Sequence, residues 1–366
     1  MKKARYFLVA LIPIMALATA FTFFHITSAR ADNPSCTQTG FFRDNINLTA
    51  ALIDPAGTVK GPVNATGCNI GIYYDGNVVS GTVKGAEVYG ANYFGIVNNG
   101  TKLTITKSKI HDIGESPFNG TQHGVAIYFA YGSASSGSIT HNLVWNYQKG
   151  GIVVNGVNAS ATITSNTVLG FGPVTFIAQN GIQIGYGAKA TVSSNYVSGN
   201  AYSGTNDAAS GGILVVGGAC YSDSLTIGTK ITNNTLRGND VGIYLSNLDV
   251  DPNTSQCVPT LTPTKIVVNN DISTNDAVTN VSGCGYPCGY QAGISDQGDK
   301  DQMTNNQTCG VGYTPVQSPP PYLYGIDDTA TNNPIESGNT TCSYADTHPS
   351  QHVKHPHLVK ASVYAR

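Results

Sequence analysis

Apolar and polar residues alternate in short bursts along most of this chain, and the bursts recur in a fixed pattern. One motif reads apolar-x-x-Asn-x-apolar at Ile139–Val144, Ile163–Val168, Val192–Val197, Ile231–Leu236 and Val267–Ile272. It continues at Met303–Thr308, and earlier at Val83–Val88 and Ile105–Ile110, where Ala86 and Ser108 stand in for Asn. A second motif, Gly-Ile or Gly-Val, begins at Gly71, Gly95, Gly124, Gly151, Gly181, Gly212, Gly242, Gly293 and Gly325. Self-similarity at roughly 25–30 residues is the mark of a solenoid. In Ile152-Val-Val154, Ile182-Gln-Ile184 and Ile243-Tyr-Leu245 the apolar residues fall two apart, which places them on one face of a strand. The expectation is an all-β parallel solenoid of about nine coils. Successive coils would stack ~4.8 Å apart, for a rod roughly 40 Å long.

The recurring amides gain a role in that geometry. Asn142, Asn166, Asn195, Asn234, Asn270 and Asn306 would lie one above another at an inward corner. An amide donates and accepts, so a stack of them satisfies buried polar groups. Asn also tolerates the left-handed backbone that such corners need.

This pattern resembles the right-handed parallel β-helix repeat proteins, a group that includes NosD-like periplasmic proteins and carbohydrate-active β-helices. The resemblance covers roughly residues 67–331. It implies a right-handed β-helix with loop insertions, and recognition or processing of extracellular polysaccharide. The repeated residues are core residues, so the fold is implied more strongly than the activity. A non-catalytic extracellular structural or adhesion rod is the alternative. The division expected is a leader over 1–31, an N-terminal cap over 32–66, the β-helix over 67–342 and a C-terminal tail or cap over 343–366. Residues Asp44 to Ile53 would supply a short helix or a strand capping the first coil. Residues Asn247 to Thr264, carrying Pro252, Pro259 and Pro263, form an insertion, and Ser318 to Pro321 make a rigid excursion.

Composition agrees with a turn-rich β chain. There are 42 glycines, 11% charged residues and a net charge of −2, which excludes a basic nucleic-acid surface. The first 31 residues have a Lys-Lys-Arg start, an apolar middle and Ala29-Arg30-Ala31, and read as a secretory signal peptide cleaved after Ala31. An uncleaved membrane anchor is the alternative. All eight cysteines follow this leader, as expected of disulfides in an exported chain. Proximity pairs Cys36 with Cys68, Cys220 with Cys257, Cys284 with Cys288 and Cys309 with Cys342. Asn47, Asn99, Asn119, Asn233 and Asn339 begin Asn-x-Ser/Thr triplets, glycan acceptors in a eukaryotic host.

Candidate chemistry falls in a few places. Asp296 and Asp328 share one offset from Gly-Ile steps in consecutive coils, with Asp327 adjacent. They could act as acid and base on a glycosidic bond. With Asp299 and Asp301 they could instead hold calcium, for which Asp296 and Asp328 are the metal ligands expected. The plain reading is that both strands end there and the carboxylates turn to solvent. No Gly-His-Gly or Arg-x-Lys of the polygalacturonase-like members accompanies them, and the Asp-Pro-His of alginate epimerases is missing.

His111, Asp112, Glu115 and His123 flank the longest early turn, with His141 one coil later; they read as solvated loop residues, and the alternative is an acid–base cluster on a loop. For a lyase, the bases on offer are Lys102, Lys107, Lys109 and Lys149. Arg237 would instead pair with Asp240 in its turn. Tyr73, Tyr128, Gln183 and Tyr244 are outward strand positions, and Tyr186, Tyr196 and Tyr202 fall in turns; exposed along the rod, the rings would stack on sugars, and otherwise they pack across coils. Thr106, Thr140, Thr164, Ser193, Thr232 and Thr304 make one outward hydroxyl row. A single row falls short of the paired rows by which flat Thr arrays order water. Finally, His348, His352, His355 and His357 make the tail a possible imidazole metal binder.

Overall fold

Runs of Ile, Val and Thr broken by Gly and Asn fold as strands almost throughout, in a computed structural model that describes residues 35–280, 289–316, 321–328 and 332–342. The leader, the Cys284–Cys288 pair, residues 318–320 and the His-bearing tail lie outside the described residues. The strands gather into a 12-stranded and an 18-stranded sheet, and nearly every pairing joins one repeat to the next in parallel. In most repeats the chain contributes one strand to the first sheet and two to the second. Thus Gly150–Asn155 of the first sheet is followed by Ser160–Thr164 and Thr167–Val174 of the second, and then by Asn180–Gly185 of the first. Register is kept from repeat to repeat: Ile152 faces Ile182, Ile182 faces Ile213, and Ile213 faces Ile243.

The N-terminal segment is a strand, not a helix. Thr37–Arg43 and Ile46–Ile53 form an antiparallel hairpin whose turn residues, Asp44 and Asn45, both have positive φ. Such a turn matches the natural twist of paired strands. Parallel pairing begins with Ile46–Ile53 against Ile70–Tyr74 and with Thr58–Asn64 against Ser80–Tyr89, so the repeats start before residue 67.

The recurring glycine has a steric cause. A Cβ on Gly71, Gly151, Gly181, Gly242 or Gly293 would lie 2.5–2.6 Å from the carbonyl oxygen of the glycine one repeat on. The backbones approach there as only Gly allows. In one repeat register sets Ala126-Ile127, not Gly124-Val125, at the Gly-Ile position, because Ile96 faces Ile127.

The amide stack is formed, with a change of member. Asn142 donates its backbone N–H and Nδ2 to Asn166 Oδ1 at 3.0 and 2.9 Å. The same pair of bonds joins Asn166 to Asn195 and Asn195 to Asn234. Each Nδ2 also reaches a main-chain carbonyl one repeat back, as Asn166 does to Ile139 O at 2.8 Å. At the next level Asp271, not Asn270, takes the place: Asn234 donates N–H and Nδ2 to Asp271 Oδ1 at 2.7 and 2.8 Å. The repeat starts here at Val268, not Val267: Val268 faces Ile231, Val268-x-x-Asp271 keeps the spacing of Ile231-x-x-Asn234, and Asn270 becomes the corner residue with φ 56°. The stack runs on through Asn306 to Asn339, which spends its amide on Asn306 and Met303. Left-handed backbone belongs to the residue before each inward polar side chain of the stack, namely Lys107, His141, Ser165, Ser194, Asn233, Asn270 and Asn305, with φ of 52–58°. One such residue between two strands turns the chain and aims the next side chain inward.

Three disulfides, Cys36–Cys68, Cys220–Cys257 and Cys309–Cys342, are formed as proximity predicts. The second ties the short 3-10 turn Ala219–Tyr221 to Cys257–Pro259, which pairs antiparallel with the long strand Val241–Val250. These bonds point to an oxidising, extracellular environment. No helix among the described residues is long and apolar enough to cross a membrane.

The main core lies between the sheets and holds Ile72, Ile96, Ile127, Ile152, Ile182 and their partners. Two further apolar clusters line the other side of the first sheet. One gathers Ile70, Tyr73, Phe94, Val97, Tyr128 and Val153; the other gathers Leu214, Val241, Tyr244 and Tyr290.

Candidate functional site

The tyrosines expected to face solvent do not. Tyr73, Tyr128, Gln183 and Tyr244 are all buried, with Tyr244 at 0% exposure, because the first sheet is covered on both sides. Tyr186 and Tyr202 are buried too; Tyr196 alone of that set is exposed. Tyr128 stacks on Phe94 with ring centres 5.0 Å apart and accepts the Tyr131 N–H at 3.1 Å. Burial pushes up the hydroxyls of Tyr73, Tyr128 and Tyr244, which fits packing rather than a wet sugar platform.

The four residues around the early turn divide into two pairs. His111 lies on the outward side of Lys109–Ile113, with Nδ1 2.7 Å from Asp112 and Nε2 3.4 Å from Glu87. Both ring nitrogens are therefore engaged by carboxylates. Register puts Tyr89 before it and Trp145 after it, and the three rings stack at 5.4 and 4.1 Å with their planes nearly parallel. Asn146 donates to Asp112, and Lys109 lies 3.9 Å from Glu87. His123 sits before the strand Val125–Phe129, buried, with Nε2 2.6 Å from Glu115 and its ring on Tyr93 at 3.9 Å. His141 joins neither pair, since it is an exposed corner residue.

What fixes the 114–124 turn is Gln148, which sequence reasoning missed. Its Oε1 accepts the backbone N–H of Glu115 and Asn119, and its Nε2 donates to Thr121 O and Oγ1. Asp240 does the same work for later loops, accepting the backbone N–H of Tyr202 and Ser210 and the Asn280 amide. Burial raises Asp240 to about 7, and the expected pairing with Arg237 is absent because Arg237 lies 3.5 Å from Asp276 instead. Neither clamp has a local signature; each is one polar residue contacting loops 27–40 residues away.

The aspartates do not turn to solvent. Asp296, Asp299, Asp301 and Asp327 are buried, and register brings Ser295 opposite Asp327, so Asp296 and Asp328 meet at the strand ends. Their oxygens are largely spent on the protein. Asp296 accepts the Gly298 N–H, Asp327 accepts the Tyr290 hydroxyl at 2.7 Å, and Asp301 accepts Thr264 Oγ1 and the Ile266 N–H. Burial raises Asp301 to about 6. Desolvation and then Asp328 raise Glu336 to about 7, although its exposed place in Ile335–Ser337 lets solvent damp the effect. Among the described residues no group of three or more His, Cys, Asp or Glu is placed to hold a metal ion, so the calcium expectation for Asp296 and Asp328 finds no ligand set there.

Of the lysines, Lys102, Lys107 and Lys109 are exposed, while Lys149 is buried and donates to Ala178 O at 2.8 Å. Burial lowers Lys149 to about 7.

The hydroxyl row is continuous as far as Thr232, where Asn269 separates it from Thr304, and it has a companion. Thr106, Thr140, Thr164, Ser193 and Thr232 follow one another in register. Two residues earlier a second row runs through Thr82, Thr104, Ser138, Thr162 and Thr191. In comparisons with known proteins, no family model matches the chain, and neither a curated protein nor a solved structure does.

Proposed function

We propose that the two sheets are walls of a right-handed parallel β-helix of about nine coils, exported after loss of residues 1–31, that recognises an extracellular polysaccharide. The alternation of one first-sheet strand with two second-sheet strands supports the helix, and the disulfides support export. The observation that carries recognition is the Tyr89–His111–Trp145 row. Those rings cover one another's faces, so they offer a ligand their edges. Around the edges stand Glu87, Lys109, Asp112 and Asn146. Donors and acceptors at that density suit a ligand rich in hydroxyls, held by hydrogen bonds rather than by stacking.

The test is pull-down of the full chain on polygalacturonate, alginate and neutral glycans. Wild-type protein is expected to bind one of them and Trp145→Ala to lose most of that binding. If the wild-type chain is retained on none, recognition is rejected and a non-catalytic adhesion rod is the reading left.

One observation favours processing as a second reading. Asp301 and Glu336, raised to about 6 and about 7, lie with Asp296 and Asp328 in one neighbourhood, and a raised carboxyl serves as a general acid near neutral pH. Release of reducing or unsaturated ends that disappears in Glu336→Gln would establish it. Retention of full activity in that variant would discard it.

A further inference from the structure

We propose that the paired hydroxyl rows of the second sheet bind ice. The grid is fixed by the backbone. Neighbours along a row are ~4.8 Å apart and the two rows lie ~6.7 Å apart, the spacings of adjacent strands and of alternate residues. Register is unbroken from Lys102–Thr106 through Ser136–Thr140 and Ser160–Thr164 to Lys189–Ser193, so the grid does not drift over four strands.

Every one of its eight points is Thr or Ser, and none is charged. Lysines stand only at its border, at Lys84, Lys102, Lys189 and Lys230. Within the later row, hydroxyls bond one another, Thr140 to Thr106 at 3.0 Å and Thr164 with Ser193 at 3.1 Å. In the earlier row Thr104, Ser138, Thr162 and Thr191 bond no other described group, and Thr162 and Thr191 are exposed. Their donors and acceptors are left for a ligand.

A grid with two fixed repeats suits a ligand that is itself periodic in two directions. A dissolved glycan chain repeats in one direction, and a single row would serve it. A lattice of water molecules repeats in two, and each lattice oxygen donates and accepts as a Thr hydroxyl does. The Thr methyl groups hold the intervening water in ordered cages, while hydroxyls anchor it to the protein. A charged side chain would impose a hydration shell of its own, and the grid has none. Rigidity completes the fit, since side chains on a parallel sheet lose little freedom on binding.

The experiment uses the full chain in a nanolitre osmometer, reading freezing hysteresis, crystal shape and inhibition of recrystallisation. Wild-type protein is expected to shape crystals and open a hysteresis gap. Thr162→Lys and Thr191→Lys, at exposed positions, should each lose most of that gap while keeping the wild-type thermal melt. Trp145→Ala, on the neighbouring row, should keep it. Unshaped crystals with no hysteresis in wild-type protein would overturn the proposal, as would full activity in both lysine variants. Binding to microcrystalline cellulose or chitin that Thr162→Lys abolishes, with ice growth unaffected, would give the grid to crystalline polysaccharide and overturn it equally.

Discussion

The two sheets are written by the same repeat, yet they turn opposite faces outward. Beyond the main core the first sheet carries Tyr73, Val97, Tyr128, Val153, Gln183, Leu214 and Tyr244 in register, all buried and all but Gln183 apolar or aromatic. On the second sheet the strands Lys102–Thr106, Ser136–Thr140, Ser160–Thr164 and Lys189–Ser193 carry Thr, Ser and Lys outward, half-buried or exposed, beside the row of Tyr89, His111 and Trp145. Alternation therefore tells which residues point away from the core without telling what they meet there. Composition of the outward row decides it: large apolar and aromatic side chains ask for a second covering layer, and hydroxyls do not.

The contrast is broken hardest on the first sheet. Tyr128→Ala removes a ring that stacks on Phe94 and a hydroxyl that holds the Tyr131 N–H. Truncating a buried aromatic costs about 3–5 kcal/mol. A denaturant titration should show that loss; a cost below about 1 kcal/mol would mean this outer layer is not a core.

Inside the second sheet the sharpest departure from the repeat is Asp271, the one carboxyl in a stack of amides. Its Oδ1 accepts twice from Asn234, and its backbone N–H donates to Asn306 Oδ1 at 3.0 Å. Its Oδ2 is buried and has no hydrogen-bond partner among the described residues. In the other members that position is an Nδ2 donating to a main-chain carbonyl and to the next amide oxygen. An ionised Oδ2 is an acceptor where the other members place a donor, whereas a protonated one restores that donor. Burial accordingly raises Asp271 to about 7, and its stack neighbours are the uncharged Asn234 and Asn306.

The sign follows directly. The folded carboxyl holds its proton up to about 7 and the unfolded one only to ~3.9, so the fold binds more protons in between and loses stability as pH rises through that window. Asp271→Asn should leave stability nearly unchanged at pH 4. At pH 8 it should raise it by about 2–4 kcal/mol, the linkage worth of a shift of that size. Thermal melts of both proteins at the two pH values check this, and equal gains at pH 4 and pH 8 would refute it.

Much of the fold was legible because its strongest signals are local and periodic. Amide positions recur at one offset from inward apolar residues, and the glycine recurs where backbones touch. The slip at Asn270 shows the limit: Asn-Asn-Asp offers two amides, and the corner's need for left-handed backbone takes the second, pushing Asp271 into the stack. The candidate sites were far less legible. His111 and His123 are near in sequence, but each is captured by its own carboxylate, and His123 further by Tyr93. Gln148 and Asp240 organise the loops through contacts that no local pattern announces. The second hydroxyl row was present in the sequence as Thr-x-Thr, and only the register across four strands makes it a surface.

The smallest effect expected is also the one that sharpens the comparison most. Thr191 is exposed, bonds no other described group, and faces Thr162 across the strand pair. Replacing it by Ala removes a hydroxyl that the protein itself does not use. Surface changes of this kind usually move stability by no more than about 0.5 kcal/mol. Thr191→Ala should therefore melt with the wild type, in contrast to the loss at Tyr128. A loss above about 1 kcal/mol would mean that the hydroxyl row belongs to the fold, so that its regularity would reflect packing between strands rather than a surface kept for a ligand.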